Sequence, residues 1–294
     1  MERKSRFLGE NAKDADINFP SKCRGLTINK MCFEQELINK ENFNTNCKLW
    51  IQDKYLFKQY ISFGKVTQQN INNIMHFIKR QDLKVVPELV LPKKLVFDEK
   101  KQVMGYIMDY YKKTETLEDI FMDRNISSKN KKDVFVQLAM VLNKLPKDIF
   151  IGDLHGRNVI VDTNFKIHVI DIDGFSTSSN QMSCPLNNLT RLNYLKKYYL
   201  QDKLIISKDT DIACYMVLLL NWLAQTSILQ YSSIEIFRYL NFLEKQQIPQ
   251  GIIKMMKRIF DEEHNFIDIN AIKQINVKNI DKYTYKNFVD SCEA

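Results

Sequence analysis

Three side chains within a short stretch have the types and spacing that phosphate chemistry requires. From Ile151 the chain reads IGDLHGRNVIVDTNFKIHVIDIDGF, with Asp153 and Asn158 five residues apart and Asp171 thirteen beyond Asn158. Between Asn158 and Asp171 lie two β-like runs, NVIV and IHVI. Folded as a hairpin, they bring Asp153, Asn158 and Asp171 to one end. Phosphoryl transfer needs little covalent help from a protein. It needs cations that bridge phosphates and a carboxylate that orients or deprotonates the attacking hydroxyl. Mg2+ takes hard oxygen ligands, one or two carboxylates together with phosphate and water. Asp171 and the amide oxygen of Asn158 suit that ligand role, and Asp153 suits the role of base.

The elements that must position these groups fall into two textures, which change near residue 112. Before it, short β-rich runs dominate: Leu49 to Ile51, Tyr55 to Phe57, Leu95 to Phe97 and Tyr106 to Met108. Turn signals separate them at Gln52-Asp53 and at Asp98 to Lys100. KLWI–QD–KYLFKQYI reads as a hairpin. One helical pattern interrupts the strands, with Ile71, Ile74, Met75 and Ile78 at steps of three and four. After residue 112 the period is helical. Val134, Leu138, Val141, Leu142 and Leu145 form one stripe, and Ile234 to Leu243 and Ile252 to Phe260 are amphipathic. Ile212 to Leu223 is apolar nearly all round and predicts a central helix. The fold class is α+β: a small antiparallel β lobe with one helix, then a larger, mainly helical lobe. A cleft between such lobes is a natural ligand site.

Composition narrows the function classes. The 294 residues are 45% hydrophobic and 27% charged, the mix of a globular chain rather than a disordered one. Lys+Arg 43 against Asp+Glu 35 gives +8. The cations are dispersed among acids such as Asp133, Asp202 and Asp261, so solvated helix faces are expected rather than a nucleic-acid stripe. Six cysteines form no CxxC pair, so reduced thiols and a cytoplasmic setting are expected; delivery into another cell as an effector stays open. No apolar leader is visible at the N-terminus. Ile212 to Ala224 is shorter than the roughly 20 residues of a membrane span, so none is expected. The oligomeric state is not readable.

The order of motifs resembles the protein-kinase-like superfamily, in particular atypical bacterial, eukaryotic-like Ser/Thr protein kinases. Gly152-Asp153-Leu154 with Asn158, then Ile170-Asp171, resembles the D-x-x-x-x-N catalytic loop and the D-F-G motif. Lys58 in YLFKQY resembles the strand lysine that holds the α- and β-phosphates. VMGYIMDYY, residues 103 to 111, resembles the strand entering the adenine hinge; Met108 would be the gatekeeper, and Asp109 to Tyr111 would supply backbone hydrogen bonds. KDTDIACYMVLL, from Lys208, resembles the central helix of that fold, with Asp211 bracing the catalytic loop. The resemblance covers roughly residues 25 to 290. It implies a bilobal kinase-like fold with an extension at 1–24, an N-lobe at 25–111 and a C-lobe at 112–294. It also implies ATP and Mg2+ as cofactors and a protein substrate or partner.

Four departures shape the expectations. Ile38 to Leu49 carries Asn39, Asn42, Asn44 and Asn46 where a glycine-rich loop is expected; Asn tolerates positive φ better than most residues. No Asp or Glu occurs from Gln59 to Gln81, so Lys58 lacks a helical partner; Asp82 or Glu88 could substitute, or Lys58 could pair with Asp171 and the phosphates alone. Ile151 and Gly152 replace the His and Arg of H-R-D, which predicts no activation by phosphorylation at Ser176 to Ser179. His155 replaces the usual lysine two residues after the base, and GDLHGRN also resembles the aminoglycoside and choline phosphotransferases. Asp173 reads as structural or as a carboxylate behind the metal ligands. His76 and His168 read as packing residues; Cys184, before Pro185, could be a redox thiol, yet nothing nearby in the sequence lowers its pKa. The leading function is thus an ATP- and Mg2+-dependent Ser/Thr protein kinase. The alternatives are a pseudokinase scaffold and a small-molecule phosphotransferase.

Overall fold

The computed structural model describes residues 35–36, 47–61, 65–98, 102–178, 199–200, 203–204, 206–261 and 267–293. The N-terminal extension, the asparagine loop as far as residue 46, Ser179 and Cys184 lie outside the described residues. Two compact units divide the chain: Met1–Lys112 with Ile170–Asp173, and Lys113–Val169 with Gly174–Ala294.

The first unit is built on an antiparallel sheet. Its strands are β1 (Gln35–Glu36), β2 (Cys47–Gln52), β3 (Tyr55–Tyr60), β4 (Lys94–Phe97) and β5 (Val103–Asp109), in the order β1-β2-β3-β5-β4. The β2–β3 hairpin closes with Gln52 opposite Tyr55. The turn is therefore Asp53-Lys54, one residue later than Gln52-Asp53, and Asp53 takes the left-handed conformation (φ 51°) that Asp accepts more readily than most residues. Both faces of the central strands are covered, so the side chains sort by the period of two. Leu56, Tyr60, Tyr106 and Met108 pack with Ile71 and Ile74 of helix α1 (Lys65–Lys79), and Phe57, Val96, Met104 and Ile107 pack on the other face. Gly105 is required where β5 crosses β3: a Cβ there would stand 2.0 Å from the Lys58 carbonyl oxygen.

The second unit is mainly helical, with short sheets. Strands β6 (Glu115–Thr116), β8 (Val159–Val161) and β9 (Ile167–Val169) form one; β7 (Ile149–Phe150) pairs with β10 (Ser176–Thr177). Val159 opposite Val169 is the hairpin expected between Asn158 and Asp171. Helices α2 (Leu117–Met122), α3 (Ser128–Lys144), α4 (Lys208–Ala224), α5 (Ser233–Lys245), α6 (Gln250–Asp261), α7 (Ile269–Lys273) and α8 (Tyr285–Glu293) make the rest. Reciprocal caps start α2, α4 and α5, through Thr116 with Asp119, Ser207 with Thr210 and Ser232 with Glu235. Helix α4 is buried along nearly its whole length, as its apolar sequence predicts. Phe135 of α3 stacks on Phe121 and Trp222, and its carbonyl accepts from the Tyr215 hydroxyl at 3.1 Å. Among the described residues no helix is long and apolar enough to cross a membrane.

Candidate active site

The first unit holds the lysine. Lys58 lies on β3 directly opposite Tyr106 and is 6% exposed. A buried ammonium needs a counter-charge, because desolvation otherwise favours its neutral form. Two carboxylates supply it. Lys58 Nζ donates to Asp171 Oδ1 and to Asp173 Oδ1 at 2.8 Å. Burial works against its charge, but Asp171 and then Asp173 overcome this and hold the amine well above its ordinary value. Asp171 has φ 67° and a side chain that is 35% exposed, so the same carboxylate that meets Lys58 also reaches solvent. Asp173 is 2% exposed. Tyr106 donates its hydroxyl to Asp173 Oδ1 at 2.8 Å; Tyr60 and Asn70 donate to Oδ2 at 2.9 and 3.4 Å. Burial raises the acid, but Lys58 and these hydrogen bonds prevail and keep Asp173 below the usual carboxylate range. Both tyrosines are driven up, first by burial and then by Asp173, so they remain donors.

This cluster revises the expectation for the lysine's partner. Asp82 is occupied by Arg80 at 2.6 Å, and Glu88 Oε2 is buried with no hydrogen-bond partner among the described residues. Neither meets Lys58. Asp173, which reads from sequence as structural, is the second counter-charge.

The end of β5 carries the other residues expected to meet a nucleotide. Met108 is buried opposite Leu56, and Tyr111 packs against the same apolar cluster. Asp109 sits opposite Tyr55 and its carboxylate meets Lys93 at 2.7 Å. The Tyr110 N–H is donated to the Lys54 carbonyl at 2.8 Å, so it belongs to the sheet and not to the expected set of hinge donors.

The second unit holds Asp153 and Asn158. The turn before Asp153 is pinned by Asp211, which accepts from the Ile151 and Gly152 N–H groups at 2.8 Å each. Burial raises the Asp211 carboxyl to about 7, against the lowering effect of those two donors. Gly152 has φ 75°, a conformation that suits glycine. Leu154 is buried beneath the loop. Asn158 donates through Nδ2 to the Asp153 carbonyl at 3.0 Å, committing the nitrogen end of its amide to the loop and leaving the oxygen end for a cation. His155 Nδ1 accepts from the Arg157 N–H at 3.2 Å, so in the neutral ring the proton sits on Nε2, which lies 3.6 Å from Asp153 Oδ2. Asp153 is partly exposed. The unit thus presents a carboxylate on a braced turn, beside a histidine and an amide oxygen.

Taken separately, the units bring Lys58 together with Asp171, and Asp153 together with Asn158. Asp171 in the first unit and the amide oxygen of Asn158 in the second are each oxygen donors of the kind a hard divalent cation takes. Two expectations about neighbouring residues resolve differently. His168 is buried with Nε2 3.4 Å from Asp162 Oδ2, a packing residue as expected. His76 is exposed, set against Arg80 and the edge of Phe77, because it falls beside the apolar stripe of α1 rather than on it. Ser176 and Thr177 are buried in the β10–β7 pairing.

No protein-family model matches the sequence, and no curated protein matches it. Among solved structures the fold is similar to one described as "ROP18 kinase domain in complex with AMP-PNP and sucrose". The TM-score is 0.53 and the identity 11%, over 85% of this chain and 81% of that chain.

Proposed function

We propose, from the premise that the chain has a protein-kinase-like fold, that it is an ATP- and Mg2+-dependent phosphotransferase acting on protein Ser or Thr hydroxyls. The observation that carries this reading is the contact of Lys58 with Asp171, 113 residues away in sequence. It joins a phosphate-type cation to an acid of metal-ligand type. Lys58 holds the α- and β-phosphates, Met108 lines the adenine side, and Asp109 and Tyr111 offer backbone groups to the base. Asp171 and Asn158 hold Mg2+. Asp153 orients the acceptor hydroxyl and takes up its proton. When bound, the cation supplies neutralisation of charge on the phosphates. His155, with its proton on Nε2, faces the same carboxylate and helps orient it.

Transfer from γ-labelled ATP tests the reading. Wild type should label itself or a protein acceptor, and Asp153→Ala should lower the rate by 10²–10⁴-fold, the range of a general base. Wild type that transfers phosphate to no protein, with Asp153→Ala indistinguishable from it, sinks the proposal. The scaffold alternative rests on the missing glycines and the missing helical acid; α1 has no acid, and Asp171 and Asp173 are the counter-charges that Lys58 has in its place. The small-molecule alternative rests on GDLHGRN and His155; the same assay against choline and aminoglycosides separates it.

A further inference from the structure

The lysine in this fold class is usually held by a glutamate on the lobe's helix. Helix α1 contains no acid at all; Lys65–Lys79 reads KVTQQNINNIMHFIK. What it offers instead is amides. Asn70 Nδ2 donates to Asp173 Oδ2 at 3.4 Å, and Asn73 Nδ2 donates to the Asp173 carbonyl at 3.3 Å. The carboxylate itself is engaged by groups from the sheet: Lys58 and Tyr60 on β3, and Tyr106 on β5. We propose that Asp173 is the positioning residue that holds Lys58 for phosphate binding, in place of a helical acid, and that α1 contributes only neutral donors. The proposal rests on the reading of Lys58 as the phosphate lysine and goes beyond it.

Three observations support this division of labour. Each oxygen of Asp173 already takes two donors, and the residue is almost fully buried, so it has no valence left for a metal. Asp171 differs, because it reaches solvent and can turn towards a cation while Lys58 keeps Asp173. Among the described residues, the charged and titratable groups that act on Lys58 are Asp171, Asp173, Tyr106 and Cys47, and none of these four lies on α1. Displacing α1 therefore breaks two amide hydrogen bonds and leaves the ion pair intact. A carboxylate on the helix would have tied the lysine to the helix's position.

The test reads Lys58 itself, in the full chain without nucleotide. Acetylation of Lys58 by acetic anhydride is followed across pH by peptide mass spectrometry. Asp173→Asn should raise its labelling rate at pH 9 at least fivefold and shift the midpoint of its pH profile downwards. Asn70→Ala and Asn73→Ala should leave both within twofold of wild type. The swap Asn70→Asp with Asp173→Asn returns a carboxylate to the cluster and should restore slow labelling. Labelling that does not respond to Asp173→Asn overturns the proposal. So does a fivefold rise in either single Asn variant, a comparison that still decides if Asp173→Asn does not fold. Absence of ATP binding by wild type would sink the phosphotransferase reading and leave this result standing.

Discussion

Lys58 is one cation between two acids, and the chemistry of the site follows from that imbalance. Removing the cation exposes it. Lys58→Met leaves Asp173 buried, ionised and uncompensated, which typically costs about 3–5 kcal/mol. With Lys58 gone, burial is opposed only by the hydrogen bonds to Asp173; where burial prevails, the folded-state pKa rises above the unfolded value, and the penalty should be present at neutral pH and fade on acidification. Urea unfolding at pH 7 and pH 4.5 should show the deficit against wild type shrinking on acidification; a deficit independent of pH refutes the charge argument. Asp211 works in the opposite direction. Its carboxyl is raised to about 7, so its contribution to stability is complete below the ordinary carboxylate range and is lost as pH rises through about 7. Against Asp211→Asn, which does not titrate, wild type should lose on the order of 4 kcal/mol between pH 4 and pH 8. Parallel profiles for the two proteins would contradict the raised carboxyl. The types and intervals of Asp153, Asn158 and Asp171 can be read in the sequence because they repeat a known order. The partners of Asp173 cannot, because they lie 67 to 115 residues away and only the folded sheet gathers them.

At the scale of elements, alternation and helical period located the strands and helices well. Leu49 to Ile51, Tyr55 to Phe57, Leu95 to Phe97 and Tyr106 to Met108 all fall inside strands, and the stripe from Val134 to Leu142 lies along α3. Those signals are local, and so is what they can specify. The turn at Asp53-Lys54 slipped by one residue because both dipeptides contain a turn-prone Asp. Gly105 carried no local signal at all: its need is set by the approach of β3, visible only once the strands pair. Gly105→Ala forces its methyl group against the backbone of the residue that carries the lysine. We expect a loss of about 1–3 kcal/mol or more from overpacking, with weakened binding of ATP in the fraction that folds. Equal stability and equal ATP affinity in this variant would show that the sheet can part at no cost. The buried pairing of β10 with β7 also bears on regulation. Ser176 and Thr177 are buried, out of a kinase's reach, and changing Ser176 to Ser179 to alanine should leave the transfer rate of the folded protein unchanged, because no arginine precedes Asp153 to receive a phosphate. Abolished transfer without loss of folding would refute this.

At the scale of the molecule, the proposed function draws residues from both units, and ligand linkage is the measurement that tests it. If Mg2+–ATP binds the folded chain alone, saturation at a hundred times Kd stabilises by about 2.7 kcal/mol. Wild type should show a clear rise in melting temperature with Mg2+–ATP. The rise should be smaller with EDTA present, and smaller again in Asp171→Asn. No shift at millimolar nucleotide would favour the scaffold reading. The α+β class and the change from strand to helix texture near residue 112 were legible in the sequence because one hydrophobic period dominates each half. The return of Ile170–Asp173 to the first unit was not, since those four residues follow a strand of the second unit and are claimed by contacts with β3, β5 and α1.

The left-handed backbone at Gly152 also limits what can stand before Asp153. An arginine placed beside Asp153 could receive a phosphorylated loop, yet any side chain at this position meets an unfavourable φ and the Ile206 side chain at 3.1 Å. An arginine at this position would therefore carry roughly 1–3 kcal/mol of backbone strain, and Ile206 would have to give way to it.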